Sequence, residues 1–590
     1  MAFGSYEVGV IQNTPVPDLS PDDEALLAGL AKTSWSLKRR LDTVNETSHA
    51  LLLPALLSVS GASLTERAAA WAQHADALGR RLTELQAQID DRCFVLYGIN
   101  AEDRAAIERG FGGGAPLHDA PEDALEDEGP EGDDGDIRRH AAALISWALG
   151  VAFGRFDLRL ATGARPLPPE PAPFDPLPAC SPGMLTGPDG LPVAAPPPGY
   201  PVAFPSDGLL VDDPGAPNDL LGAVRQVFAA VFGEAGDERL AEAVALLDPR
   251  ADDLRPWLRS SLFAEHIQRY SKSRRKAPIY WRLGTPSGAY SVWVYLHRVG
   301  PDTLHAALRD HVAPKLRYEE ERLGQLTAEA GPTPSTAQRR ALAAQEGFVE
   351  ELRAFRDELA RVAPLWSPNL DDGVVINASF LHRLFQHTRP WAKECEGHWE
   401  KLKAGEYDWS HLAMRLWPER VVPKCAEDRS LAIAHGVEDR LWVDDGGRWR
   451  PKPVTEEELT ELVQARSSAA IREALREVSA APPPARAQRA PRPAPVAAPK
   501  ERPLRPPTVQ LPLDLSAARP GADKPALDAL RAALHQHPEG ASKAELLAAS
   551  GLDEGQWAAA IGALTASGEV ERRGQARGMR YVGSKLRRST

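Results

Sequence analysis

Arg269, Lys272, Arg274, Arg275, Lys276, Arg282 and Arg298 fall between Glu265 and Asp302 with no acid among them, in a chain whose formal net charge is -13. Cations at that density neutralise phosphates and release condensed counterions, so the run points to a polyanion. Tyr270, Tyr280, Trp281, Tyr290, Trp293 and Tyr295 are interleaved with it, and their rings can stack on bases or fill a core. The competing reading is a solvated basic loop in front of a structural strand pair. Ile279–Leu283 and Tyr290–His297 have strand composition around a GTPSG turn. Alternation puts Tyr290, Val292 and Val294 on one face and Ser291, Trp293 and Tyr295 on the other, which predicts a pair packed on both sides. The aromatics are then structural, and Lys272, Arg274, Arg275 and Lys276 in the preceding loop are left to reach phosphate or a base edge.

Other chemistry is thinly represented. Cys395 and His398 have one metal-ligand spacing, but a zinc site needs four ligands, and His411, Cys425 and His435 complete one only through an unforeseen fold. No metal is expected. Asp408 and His411 read as hydrogen-bonding groups of a core, and Arg415 and Arg420 as phosphate contacts. No cluster of carboxylates with a lysine has nuclease spacing. The glycines at 112–114 lead into an acidic run and not into a helix, so they make a poor nucleotide loop.

RYSKSRRKAPIYWRL followed by SGAYSVWVYLHR closely resembles a signature in the C-terminal half of BREX-type (phage-growth-limitation, PglX-like) adenine-specific DNA methyltransferases. FDPLPACSPGML (Phe174–Leu185), GLLVDDPGAPNDL (Gly208–Leu220), DDGVVINASFLHRLF (Asp371–Phe385), YDWSHLAMRLWPERVVPKC (Tyr407–Cys425) and SLAIAHG (Ser430–Gly436) are similar to segments of that family, in the family's order. The resemblance covers roughly residues 1 to 450. In the family the catalytic domain precedes all these segments. Its adenine-holding tetrapeptide, Asn or Asp with Pro-Pro and an aromatic, does not occur here, nor does its cofactor glycine motif. The resemblance therefore implies a target-recognition polypeptide that binds double-stranded DNA. It would carry no cofactor, with S-adenosylmethionine on a separate catalytic methyltransferase subunit and other defence-system proteins as further partners. Two alternatives stay open: the tail of a split methyltransferase, and a winged-helix scaffold of a defence complex. Whether the chain itself counts as an enzyme is open too.

The elements that must position these residues follow from periodicity and composition. A length of 590 residues allows three to five domains at ~100–200 each. Hydrophobic content of 43% is ordinary, while 53 prolines and 46 glycines concentrate in linkers. No apolar run reaches ~18 residues and no signal peptide opens the chain, so a cytoplasmic protein without a membrane partner is expected. Four cysteines are too few for a disulfide scaffold.

The predicted class is α+β and multi-domain: long helical hairpins, a mixed α/β recognition region and a C-terminal winged helix. Residues 1–110 read as a helical hairpin spacer opened by Ser20 and Pro21, and 111–136 as an acidic disordered loop. Residues 137–301 form the recognition region, beginning with a short amphipathic helix over Ile137–Leu149; 302–364 are a long helical pair broken at GPTPSTAQ, and 365–478 are mixed α/β. A Pro/Ala/Arg-rich linker at 479–524 leads to a winged helix with basic tail at 525–590. There Ser542 and Glu545 make a capping box, and a third helix runs from Asp553 to Ala566 with Glu554, Gln556 and Trp557 on its exposed face. A wing of two strands carries Arg572, Arg573, Arg577 and Arg580 toward DNA.

Overall fold

The computed structural model describes residues 13, 15–110, 133–272, 275–480, 524–537, 541–552, 556–557, 560–561, 564, 570–573 and 580–583. It is predominantly helical with small antiparallel sheets, an α+β chain that divides into two compact units, Met1–Ala490 and Pro491–Thr590. Among the described residues no helix is long and apolar enough to cross a membrane.

In the first unit α1 (Pro21–Asp42) starts where the Ser20 side chain accepts the Asp23 N–H, with Pro21 in the first turn and three acids at the positive end of the dipole. α2 (Leu64–Leu96) starts likewise at Ser63. Leu37, Leu78 and Leu85 form a small cluster of their own between these helices, lined by Leu30, Leu41 and Leu82. α3 (Asp133–Ala152) departs from expectation in two ways. It begins within the segment read as acidic loop, and it is apolar nearly all round: Ala141, Leu144, Ile145, Trp147, Ala148, Leu149 and Val151 are all buried. A helix of that kind lies inside a core and not on its surface.

β1 (Leu209–Val211) leads to α4 (Leu220–Phe232), capped by Asp219, and α5 (Gly236–Leu247) packs against α4. A Cβ on Gly236 would lie 2.8 Å from the Ala229 Cα, so only glycine permits that crossing. Then come α6 (Arg255–Ser260), α7 (Leu262–Arg269) and the two-residue strands β2 (Ser271–Lys272) and β3 (Arg275–Lys276), paired antiparallel as Ser271 with Lys276 and Lys272 with Arg275. β4 (Tyr280–Gly284) and β5 (Ser291–Tyr295) are the expected aromatic pair, and β1 adds to the other side of β5, giving the order β1-β5-β4. Every residue of β1, β4 and β5 is buried.

A π-helical stretch at Ala307–Val312 opens into α8 (Ala313–Ala330), and α9 (Thr336–Val362) begins at a capping box of Ser335 and Gln338. Gln345 of α9 donates to Glu319 of α8 at 2.7 Å. Further along are α10 (Arg389–Ala404), α11 (Pro418–Glu427), α12 (Arg429–Ala434), the single turn α13 (Glu438–Leu441), strands β6 (Trp442–Asp445) and β7 (Arg448–Pro451), then α14 (Glu456–Arg466) and α15 (Ala469–Ala480), with short helical turns between α9 and α11. One apolar core runs through this unit from Leu51 to Ala474.

In the second unit are α16 (Lys524–Gln536), α17 (Lys543–Ser550) with the expected capping box of Ser542 and Glu545, and the antiparallel strands β8 (Val570–Arg573) and β9 (Arg580–Gly583). Trp557 corrects the reading of the third helix. It is buried edge-on against Tyr581, at 5.4 Å, and is absent from the surface. The acidic segment 111–132, the linker 481–523, Arg274, Arg577, most of the expected third helix including Glu554, and the basic tail 584–590 lie outside the described residues.

Candidate nucleic-acid interface

The basic run is held at both ends by buried polar groups. At its entry, Glu46 in the loop after α1 accepts hydrogen bonds from Ser146 Oγ (2.7 Å), Arg155 Nη1 (3.1 Å), Arg269 Nη1 (2.8 Å) and the Tyr270 hydroxyl (2.7 Å). Burial by itself would raise the Glu46 carboxyl, but the guanidiniums of Arg269 and Arg155 hold it down at about 2, so it is ionised at neutral pH. At the exit, His266 Nε2 accepts the N–H groups of Ile279 (3.0 Å) and Tyr280 (3.1 Å). An Nε2 that accepts two bonds carries no proton, which leaves the ring neutral and protonated at Nδ1. Burial, with Arg269 and Arg155 nearby, lowers this histidine to about 3 despite the Glu46 charge.

Between those anchors β2 and β3 stand out as a small ribbon. Lys272 and Arg275 are exposed, sit opposite each other, and have no ion-pair partner among the described residues. Lys276 reaches Glu394 on α10 and remains 38% exposed; Arg269 is committed to Glu46. The contact with Glu394 brings in the start of α10, where Arg389 and Lys393 are exposed and likewise have no ion-pair partner among the described residues. Spacing gave no sign of this second pair, because α10 follows the ribbon by more than a hundred residues.

Arg282 is a correction. It is 2% exposed and donates to Ser291 Oγ (3.2 Å), the Arg259 carbonyl (2.6 Å) and the Gly288 carbonyl (2.8 Å). Burial lowers it to about 10. It closes the β4–β5 turn onto α6 and cannot reach a phosphate. Arg420 is a second correction. Its guanidinium bonds Asp408 Oδ1 (2.6 Å) and the carbonyls of Lys403 (2.7 Å) and Leu402 (3.0 Å), and lies 4.6 Å from the Trp417 ring centroid. That gives the Lys403 carbonyl at the end of α10 a donor and adds a second to the Leu402 carbonyl, which already accepts the Gly405 N–H. Arg415 is half-buried beside the Pro364 carbonyl, and burial lowers its pKa.

The aromatics are core residues, as the alternation predicts. Tyr280, Trp281, Tyr290, Trp293 and Tyr295 are at most 3% exposed, and Trp281 sets its edge against Trp366 and Phe385. Asp408 is buried and held by Arg420 and Lys424, and His411 Nδ1 lies 2.9 Å from Asp372. His398 stacks on Tyr407 and His435 Nε2 is bonded to the Asp408 carbonyl. Among the described residues no group of three or more His, Cys, Asp or Glu is placed to hold a metal.

In the second unit Arg572 and Arg573 lie on β8 and Arg580 on β9, with Arg573 opposite Arg580 in the register. Sequence reasoning also passed over the buried Asp212. It pairs with Arg255 and Arg259, while Arg255 bonds Asp219 at 2.8 Å, which ties β1 to α6. Compared with models of protein families and with curated proteins, the chain matches none.

Proposed function

We propose that this chain is the DNA-binding, target-recognition polypeptide of an adenine-specific DNA methyltransferase in a phage-defence or restriction-modification system. It acts in the cytoplasm with a separate catalytic subunit that carries S-adenosylmethionine. The observation that carries the DNA-binding part is the ribbon of β2 and β3, where Lys272 and Arg275 are exposed cations with no carboxylate partner among the described residues, beside Arg389 and Lys393. Exposed cations left unneutralised in a chain of net charge -13 are the electrostatic footprint of a polyanion site. The methyltransferase part rests on the segments resembling that family, and the missing adenine-holding tetrapeptide is why the chemistry is given to a partner. The second unit fits a winged helix, two helices followed by an antiparallel strand pair with arginines on both strands, and would add a second DNA contact.

The test is binding of the Lys272→Ala/Arg275→Ala chain to duplex DNA across a salt series. Each phosphate no longer neutralised should flatten the slope of log affinity against log salt by ~0.9. Stability should stay within ~0.5 kcal/mol of the parent, since both side chains are exposed. An unchanged slope overturns the assignment of this ribbon.

A further inference from the structure

β6 and β7 leave the first unit as a second ribbon, and apart from Trp442 at its root every residue of both strands is exposed. Two strands alone bury too little to hold themselves in water, so the root decides whether the ribbon is rigid. The root is well fastened. Trp442 Nε1 donates to the Cys425 carbonyl at 2.9 Å, the Lys452 N–H to the Leu441 carbonyl at 2.8 Å, and Lys452 Nζ to the Asp439 carbonyl at 2.6 Å. The tip is tight as well: Gly446 and Gly447 have φ of 65° and 89°, as a two-residue hairpin turn requires, and Asp444 Oδ1 accepts the Gly447 N–H at 2.7 Å.

The register sorts the side chains. Val443 pairs with Arg450 and Asp445 with Arg448, so these four share a face; Trp442, Asp444, Trp449 and Pro451 share the other. The Arg429 guanidinium of α12 lies 4.0 Å from the Trp449 ring centroid, so the tryptophan face is the one turned to the body. The face turned outward carries Arg448 and Arg450. Both carboxylates of the ribbon are used within it, Asp444 on the turn and Asp445 on Arg450 at 3.3 Å. Arg448 has no ion-pair partner among the described residues.

We infer that this ribbon is a second DNA-contacting element of the first unit, with Arg448 and Arg450 entering a groove of the duplex. The inference rests on the DNA-binding reading above and adds a site to it. A two-stranded ribbon matches the width of the major groove, ~12 Å, and paired arginines suit phosphate or guanine edges. The two ribbons are tied to one helix. Lys276 holds Glu394 in the first half of α10, while α11, on which Trp442 is rooted, caps its far end through Arg420. Glu394 and Lys403 are nine residues apart, ~14 Å of helix, so both ribbons are rooted within the span of one turn of DNA, ~34 Å.

The test uses the full chain on a defined duplex across a salt series. Arg448→Ala/Arg450→Ala should weaken binding several-fold at moderate salt and flatten the slope by ~0.9 for each phosphate that is no longer neutralised. Arg448→Lys/Arg450→Lys keeps the charge and should keep the slope. Circular dichroism and melting of both variants should match the parent. If the double alanine variant keeps the parent slope while Lys272→Ala/Arg275→Ala lowers it, this inference fails and the DNA-binding reading stands. If the lysine variant loses as much slope as the alanine variant, or the parent does not bind duplex at all, the inference fails too, and the second result removes the wider reading with it.

Discussion

Glu46 does for the first ribbon what no residue inside the basic run can do: it supplies a fixed negative charge at the point where the run leaves α7. Arg155 and Arg269 are mostly buried around it, so Glu46→Gln would strand two guanidiniums and should cost ~3–5 kcal/mol. The pH dependence follows from the two anchors. Glu46 titrates at about 2 in the fold against ~4.3 in an unfolded chain, so its stabilisation is complete above ~4.3 and is lost as pH falls toward 2. His266 stays neutral in the fold down to about 3, whereas the unfolded chain takes up its proton near ~6.5, so stability also falls between ~6.5 and 3. His387 is lowered by burial as well and shares that upper window. His266→Gln should therefore make the decline between pH ~6.5 and ~4.5 shallower, by up to ~1.4 kcal/mol per pH unit, in urea titrations at stepped pH. A decline of unchanged steepness would mean that His266 is not the buried neutral group the geometry describes.

At the scale of elements, the helix starts at Ser20 and Ser542 were legible because a cap is local, and so were the two strands around GTPSG with aromatics on both faces. What sequence could not supply was the neighbour. β1 is only three residues long and joins β5 across about eighty residues, Arg269 finds Glu46 across more than two hundred, and Lys276 finds Glu394 on a helix far downstream. Arg282 shows the consequence most sharply. Within a basic run it looks like one more phosphate ligand, but its partners are two backbone carbonyls and a hydroxyl, one of the carbonyls delivered by α6, and no pattern of residue types advertises a free carbonyl. The structural role predicts a different outcome from that of the exposed cations. Arg282→Met should leave the Gly288 and Arg259 carbonyls without this donor, lower stability by ~1–3 kcal/mol and leave the salt slope of DNA binding unchanged. A lowered slope with intact stability would return Arg282 to the binding surface.

On the scale of the whole molecule, the buried residues of the first unit and those of the second belong to different apolar clusters. Leu530, Leu546, Ile561 and Leu564 form the second without any residue of the first. The segment joining the units, 481–523, is rich in proline, alanine and arginine and poor in large apolar residues, so its composition offers little from which to extend either core. Cooperativity follows the core, and two cores without shared members should melt as two transitions. Calorimetry of the full chain should resolve both, and a chain ending at Ser479 should lose one while the midpoint of the other is unchanged. The same truncation should lower the salt slope of DNA binding through loss of the arginines at 572, 573 and 580. If the two units bind DNA independently, the drop caused by Lys272→Ala/Arg275→Ala should be the same with or without the second unit. A single transition that disappears altogether on truncation, or a ribbon effect seen only when the second unit is present, would show that the two parts fold or bind as one.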